Sequence, residues 1–198
     1  MGEVVFFALE TGGLRFEHPI IQIGAAATDQ QFQVLDSFEV KIHFNPEACE
    51  PDALRLNCFD IEVWKDEAVT EKEAAEVFSR FLRSHATLQK TSKKGKGYKV
   101  ARLGGHNVVN FHIPRLRAMF RRHDAFLPAD AFCPLDTLQK ASWFQFEHPN
   151  KCPFNDLRLD TLVNAFGIEV KGLEGQAPDA VLRAAQTAGL ARILSGRE

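Results

Sequence analysis

The chain has 198 residues, of which 45% are hydrophobic and 25% are charged, so it is long enough to bury a core and too apolar to be disordered. Its 24 basic and 26 acidic residues give a net charge of −2, which argues against nucleic-acid binding through bulk positive charge. Every apolar run is shorter than the roughly 20 residues of a membrane-spanning helix, so we expect no membrane partner.

The first half of the chain has the pattern of three strands followed by a helix. Apolar segments that are continuous or partly alternating predict strands over 4–7, 20–28 and 32–42. Thr70 and Glu73 have the spacing of a capping box, and an apolar stripe follows them, which together predict a helix over 71–83.

The second half of the chain is predicted to hold one strand and three helices. The strand covers 98–103, and the helices cover 113–122, 157–166 and 178–194. Gly167 is typical of the position just beyond a helix end, and Pro178 is typical of a first helical turn. These elements predict an α/β fold in which helices flank one mixed sheet, in a single domain spanning 1–198.

The near-neutral total charge hides two oppositely charged regions. Residues 47–76 include ten acids and three bases, whereas 84–102 include six bases and no acid. Most of these bases lie in a predicted basic loop over about 88–99, and four arginines follow on the helix predicted at 113–122. Such a loop is most simply a solvated segment, but its position also suits contact with phosphate groups.

Four cysteines show no spacing that would bind zinc or form a redox pair. Cys49, Cys58, Cys133 and Cys152 include no C-x-x-C pair, and no histidine spacing completes a zinc site. We therefore expect free, buried thiols in a reducing compartment, and the N-terminus MGEVVFF shows no secretory signal. Both observations predict a cytoplasmic protein.

Five stretches of the sequence fall, in order, into one family pattern. They are FFALETGGL (6–14), IIQIGAAATD (20–29), GHNVVNFHIPRL (105–116), CPLDTLQKA (133–141) and LRLDTLVNAFGIEVKGLEG (157–175). Together they resemble the DnaQ-like, or DEDDh, 3′–5′ exonuclease family over residues 4–194. The resemblance implies a ribonuclease-H-like, mixed five-stranded sheet flanked by helices. It also implies four carboxylates holding two Mg²⁺ or Mn²⁺ ions, and a histidine that activates the attacking water.

The first two motifs depart from the family pattern at the positions that would bind metal. Ala8 stands where the family has its first Asp, and Glu10 matches the family Glu. His112 stands where the second motif has Asp, and a neutral imidazole suits Zn²⁺ better than Mg²⁺. A histidine at the start of a helix also has a purely structural interpretation.

The third motif, His-x-Ala-x-x-Asp in the family, can be placed in two registers. The ungapped register keeps the spacing after GLEG and puts Gln176 at the family His and Val181 at the final Asp. In the other register Asp179 takes the final Asp and Glu174 the His. Both registers lack the general base and leave Glu10, with or without Asp179, as the metal-binding carboxylates. We therefore expect no metal cofactor, with Mg²⁺ or Mn²⁺ required if the chain is active.

Several other residues of the motifs have predicted binding or structural roles. The residues expected to contact nucleic acid are Thr11, Leu14, Lys93, Lys94, Lys96, Asn107 and Arg115. Asp136 and Asp160 each precede a threonine, which predicts helix N-caps rather than catalytic acids.

The sequence thus predicts a catalytically degenerate exonuclease-fold protein, a pseudoenzyme that binds single-stranded DNA or RNA, or another protein. One alternative is an active, metal-dependent 3′–5′ exonuclease acting on single-stranded 3′ ends, with a rebuilt site. Glu10, His112 and Asp179, joined by Glu174, would then hold one transition metal. Another alternative is a pure protein-interaction scaffold. If Ala8 were an engineered substitution, it would explain only one of the departures from the family pattern. Because members of the family often dimerise, the resemblance also makes a homodimer a further expectation.

Overall fold

A mixed β-sheet forms the centre of the molecule, as seen in a computed structural model that describes residues 2–170 and 180–197. Within that part of the chain the sheet has six strands: β1 Val4–Thr11, β2 Ile20–Thr28, β3 Val34–Lys41, β4 Leu88–Thr91, β5 Gly97–Gly105 and β6 Ala129–Asp136. The helices are α1 Pro51–Leu56, α2 Ile61–Glu67, α3 Glu71–Ser84, α4 Ile113–Arg122, α5 Thr137–Glu147, α6 Leu159–Ala165 and α7 Ala180–Leu194. Two short 3-10 turns at Pro46–Ala48 and Pro149–Lys151 and a π-helical turn at Val108–His112 complete these elements. None of the helices described is long and apolar enough to cross a membrane.

The strand order brings the carboxyl ends of three strands together at one end of the sheet. Strands β1, β2 and β3 form an antiparallel meander, and β5 runs parallel to β1 on its other side. Strand β6 runs parallel to β5, whereas β4 pairs antiparallel with the first half of β5. The carboxyl ends of β1, β5 and β6 therefore lie side by side, and ligands commonly bind at the carboxyl ends of the strands in open α/β sheets.

The helices cover both faces of the sheet, which explains why the central strands are largely apolar. On one face α3 and α4 pack on β1 through a core that includes Phe7, Phe78 and Leu116. On the other face α7 packs on β1 and β2, where Phe6 and Ala188 share a cluster. Because both faces are covered, β1 and β2 are buried along their whole length.

Gly24 on β2 permits the close approach of helix α7 to the sheet. A Cβ atom at Gly24 would lie 2.1 Å from the carbonyl carbon of Ala180 and 2.2 Å from the amide nitrogen of Val181. Gly24 is also the register partner of Ala8 on β1. The first turn of α7 is therefore seated beside the position where the first family carboxylate is missing.

The predicted α/β fold is confirmed, with corrections at single elements. The strand over 20–28 and the helix over 113–122 match β2 and α4, and the capping box of Thr70 and Glu73 is formed. The sheet has a sixth strand because the basic segment 88–99, predicted as a loop, forms a β-hairpin. Strand β6 and helices α1 and α2 were not predicted, α5 was predicted only through its N-cap at Asp136, and helix 157–166 is shorter. The predicted start of the last helix at Pro178 lies outside the described residues.

Two smaller predictions from the sequence need correction. Asp136 is the N-cap of α5, as predicted, but Asp160 lies inside the first turn of α6, whose N-cap is Arg158. All four cysteines are free, yet Cys58 and Cys133 are exposed and none of the four is fully buried.

Candidate active-site cleft

A cleft of about 610 Å³ opens at the carboxyl ends of β1 and β5. The first family motif contributes Ala8 and Glu10, and the second contributes Asn107 and His112. The far wall comes from α6 and α7, which present Asp160 and Arg183, among other residues. The fold therefore brings the residues of the separate motifs into one site, as the resemblance implies.

Strand β1 presents Ala8 and Glu10 to the same side of the sheet because side chains alternate along a strand. Ala8 contributes only a methyl group, which can neither bind a metal ion nor accept a hydrogen bond. Glu10 is largely buried, with 8% of its surface exposed. A carboxylate at this depth requires a counter-charge or hydrogen-bond donors.

Arg183 on helix α7 supplies that counter-charge. Its Nε lies 3.2 Å from Oε1 of Glu10, and its Nη1 lies 3.5 Å from Oδ1 of Asp160. One turn later, the hydroxyl of Thr187 donates to the carbonyl oxygen of Arg183 at 2.7 Å. The guanidinium thus holds a fixed positive charge against the carboxylate that the resemblance assigns to metal binding.

His112 is held as a neutral imidazole in the π-helical turn that precedes α4. Its Nδ1 accepts a hydrogen bond from the backbone N–H of Leu9 at 3.1 Å, so Nδ1 carries no proton and Nε2 carries the one that remains. Desolvation of the ring, assisted by the charges of Arg115 and Arg183, lowers the pKa of His112 to about 3. In this arrangement neither ring nitrogen offers a free lone pair to a metal ion.

The other polar residues of the second motif hold the wall of the cleft in place. His106 bridges two segments, through Nδ1 to the hydroxyl of Thr137 and through Nε2 to the carbonyl oxygen of Leu157, each at 2.9 Å. Burial lowers the pKa of His106, which keeps this bridge neutral. Asn107 adopts a left-handed backbone, with φ of 55°, and its N–H donates to Asp136 at 3.0 Å. These contacts are structural.

The third motif places no carboxylate in the cleft among the residues described. Val181, the final position in the ungapped register, is buried and lines a different cavity beside Ala26 and Phe32. The remaining candidates, Glu174, Gln176 and Asp179, lie outside the described residues. The face of α7 that reaches the cleft carries Arg183 and Thr187 instead.

The donors present in the described part of the cleft do not fit a two-metal site. Glu10 is paired with a guanidinium, Ala8 has no donor, and both nitrogens of His112 are committed. Across residues 2–170 and 180–197, no group of three or more His, Cys, Asp or Glu side chains is placed to hold a metal ion. Mg²⁺ needs several oxygen ligands at once, and the cleft walls described here do not provide them.

Of the residues predicted to contact nucleic acid near the cleft, Leu14 is the most accessible. It is 79% exposed at the mouth of the cleft, whereas Thr11 is buried and its hydroxyl donates to the carbonyl oxygen of Gly13 at 2.9 Å. Arg115 is buried as well. It donates to the carbonyl oxygens of Phe111 and Leu14 at 3.1 and 2.5 Å, so its guanidinium ties the first motif to the second.

The lysine segment lies at the opposite end of β5 from the cleft. Lys93, Lys94 and Lys96 occupy the exposed tip of the β4–β5 hairpin, next to Gly97, whereas the cleft lies beyond Gly105. The eight residue steps from Gly97 to Gly105 span about 26 Å along a strand. The lysines are therefore separated from the cleft by the length of β5, and their contact with phosphate groups stays a prediction.

Arg183 lines the cleft beside Glu10, and the sequence did not reveal this contact. Arg183 follows the third-motif region and matches no position of the family motif. The signal was indirect, since a strand that buries Glu10 needs a counter-charge or hydrogen-bond donors from elsewhere in the fold. The sequence alone gives no indication of which of its 24 bases meets that need.

Comparisons with known proteins identify the fold of the chain. No family model matches the sequence, and no curated protein is significantly similar to it. Solved structures of exonuclease I align with all of this chain at TM-scores above 0.5. A structure concerned with its processivity has a TM-score of 0.72 at 18% identity over 42% of that chain. The enzyme from Methylocaldum szegediense has a TM-score of 0.75 at 15% identity, and 41% of that chain is covered. The zinc-bound E. coli complex with single-stranded DNA has a TM-score of 0.71 at 18% identity, and again 41% of that chain is covered.

These likenesses establish a ribonuclease-H-like exonuclease fold at low sequence identity. The chain spans about two fifths of the length of the exonuclease I chains that it matches. The predicted fold class is confirmed by these structures together with the mixed sheet and its flanking helices.

Proposed function

We propose that this chain is a catalytically degenerate exonuclease-fold module that binds the 3′ end of single-stranded nucleic acid without hydrolysing it. The ion pair between Glu10 and Arg183 is the observation that carries this proposal. It places a fixed cation against the carboxylate of the first motif, where metal-dependent hydrolysis would need an exchangeable ion.

The charge balance of the cleft is compatible with a bound phosphate group. Glu10 and Asp160 both lie against Arg183, and Arg158 stands at the same rim, paired with Asp156. Because Arg183 offsets part of the negative charge of the two carboxylates, it reduces their repulsion of a phosphodiester without a metal ion.

The walls of the cleft also suit an unpaired strand. Leu14 and Phe111 present apolar surface at its mouth, and unstacked bases pack well on such side chains. The E. coli exonuclease I structures with the same fold include complexes with a dT13 oligonucleotide and other single strands. The four free thiols favour a reducing compartment, and we place the protein in the cytoplasm on that ground.

Two measurements on the purified protein test this function. Fluorescence anisotropy with a labelled single strand should show binding whose log K falls linearly with log salt concentration. A strand labelled at its 3′ end should release no nucleotide in the presence of Mg²⁺ or Mn²⁺. Metal-dependent release that the substitution Glu10→Gln abolishes would identify an active nuclease with a rebuilt site. Binding with no salt dependence would favour a protein-interaction scaffold.

A further inference from the structure

Helix α4 and strand β6 form an elongated groove on the edge of the sheet, outside the cleft. Two adjoining cavities of about 360 and 600 Å³ make up this groove and share Arg117, Arg121 and Phe132 as lining residues. We call it the α4–β6 groove. None of these three side chains reaches the cleft described above.

A bulge in β6 displays Phe132 to solvent. Asp130 pairs with Arg102 of β5, but the next pairing joins Leu135 to Gly104, so four residues of β6 stand opposite one residue of β5. Bulges of this kind turn side chains away from the sheet. Phe132 is 81% exposed as a result, and the guanidinium of Arg117 lies 5.1 Å from the centre of its ring.

The rest of the α4–β6 groove is lined by further exposed rings and apolar side chains. The exposed members are Phe16, Tyr98, Val109 and Phe126, each at least 37% accessible. Single exposed apolar residues are ordinary, but a run of rings along one groove indicates a binding surface.

The charge of the groove is strongly positive. Its lining includes four bases, Lys90, Arg117, Arg121 and Arg122, and one acid, Asp130. Lys90 is paired with Asp130 at 2.8 Å, and Arg122 with Glu71 of α3. Among the residues described, Arg117 and Arg121 form no ion pair, so their charges remain available to a ligand.

The α4–β6 groove lies between the cleft and the lysine hairpin. At one end, the guanidinium of Arg115 links the two sites, since it lies 3.8 Å from the ring of Phe111 in the cleft and 5.7 Å from the ring of Phe16 in the groove. At the other end, Lys90 and Tyr98 are cross-strand partners in the hairpin, whose tip carries the exposed lysines. Aromatic faces and positive charge thus follow one path from the cleft to the hairpin.

We propose that the α4–β6 groove binds the part of a single strand that lies 5′ of its terminal nucleotides, with bases stacked on Phe132 and phosphates paired with Arg117 and Arg121. Stacking rings combined with a basic track are the means by which proteins hold single strands without sequence preference. The inference rests on the proposed function, since the cleft holds the 3′ end of the same strand. The same path would bring a long strand to the lysines at the hairpin tip.

Oligothymidylates of two lengths, about 4 and about 16 nucleotides, separate the groove from the cleft. The substitution Phe132→Ala should weaken binding of the long strand about tenfold, because one stacked base is lost, and leave the short strand unaffected. The double substitution Arg117→Gln with Arg121→Gln should reduce the slope of log K against log salt by about 1.4 for the long strand.

Matched controls lie on other faces of the molecule. Leu35→Ala removes an exposed apolar side chain from β3, and Lys65→Gln with Arg80→Gln removes two exposed charges from α2 and α3. Neither control should change the binding of either strand. All of these side chains are exposed or half-buried, so thermal unfolding should show that every variant folds.

Three outcomes would overturn the proposal. If Phe132→Ala leaves the long strand bound as tightly as before, the groove does not hold the strand, while the proposed function stands. If the unaltered protein binds neither length, the proposed function and the groove fail together. If polyglutamate displaces the long strand as effectively as an unlabelled oligonucleotide does, the groove recognises acidic chains in general and an acidic protein is the better partner.

Discussion

The Nε atom of Arg183 lies 3.2 Å from Oε1 of Glu10, across the interface between helix α7 and strand β1. Glu10 is buried, and the side chain of Arg183 is 29% exposed, so the pair is partly shielded from water. The contact joins the last helix to the first strand. Arg183 therefore occupies the side of Glu10 where a metal ion would have to bind.

Replacing Arg183 while keeping Glu10 should destabilise the fold. Arg183→Met keeps the length of the side chain but leaves Glu10 buried beside an apolar group. We expect the free energy of unfolding to fall by about 2 kcal/mol, less than for a fully buried pair because Arg183 is partly exposed. Urea denaturation measures this change.

A double-mutant cycle isolates the pair itself. Combining Arg183→Met with Glu10→Gln also removes the buried carboxylate that has lost its ion pair with Arg183, so the double variant should be more stable than Arg183→Met alone. Strictly additive effects of the two substitutions would contradict the coupling inferred from the geometry.

Restoring the first family carboxylate should not restore a metal site by itself. In the variant Ala8→Asp, Arg183 still neutralises Glu10 and His112 still supplies no lone pair. We expect isothermal calorimetry with Mn²⁺ to detect no binding to that variant. The triple variant Ala8→Asp, His112→Asp and Arg183→Ala should bind Mn²⁺ measurably, since positions 8, 10 and 112 then each carry a carboxylate facing the cleft. Nucleotide release by Ala8→Asp alone would show that one substitution separates this chain from an active nuclease.

Protonation of His112 should make the fold sensitive to acid. Its pKa is about 3 in the folded protein, against 6.5 for an exposed histidine, so the unfolded chain binds more protons between these values. Stability from this group is therefore present above about pH 6.5 and is lost as pH falls toward 3. Between pH 6.5 and pH 5 the loss should be about 2 kcal/mol.

The variant His112→Asn provides the reference for that measurement. Its amide oxygen can accept the hydrogen bond from Leu9 but does not titrate in this range. The pKa of His106 is lowered too, and both proteins share that contribution, so the difference between their urea-denaturation profiles reports His112. Parallel profiles from pH 7 to pH 5 would contradict the neutral, desolvated state of the ring.

Local patterns predicted the elements whose signals are local. Strand β2 is largely apolar because both of its faces are buried, and the capping box of Thr70 and Glu73 marks the start of α3. Strand β6 was missed because its bulge and Pro134 interrupt any alternation. The β4–β5 hairpin was missed because its lysine-rich tip is exposed and shows no apolar alternation.

The candidate site also contains residues that the sequence predicted and residues that it could not predict. The motifs predicted that Ala8, Glu10, Asn107 and His112 would share a cleft, since the fold family fixes that geometry. The partner of Glu10 could not be predicted, because Arg183 meets it only through the packing of α7 on Gly24. Phe132 carries no sequence signal either, since its exposure follows from the register shift between β5 and β6.

The hairpin lysines should contribute to affinity through charge rather than through specific contacts. Lys93, Lys94 and Lys96 are exposed at the tip, far from the cleft, so replacing all three with alanine should lower binding of a long strand equally for every sequence. Three lost phosphate contacts would reduce the slope of log K against log salt by about 2. Removing Lys65, Lys72 and Arg80 instead gives the same change in net charge on α2 and α3, and should leave the slope nearly unchanged. Equal effects of the two triple variants would mean that net charge alone, and not the path from the cleft to the hairpin, governs binding.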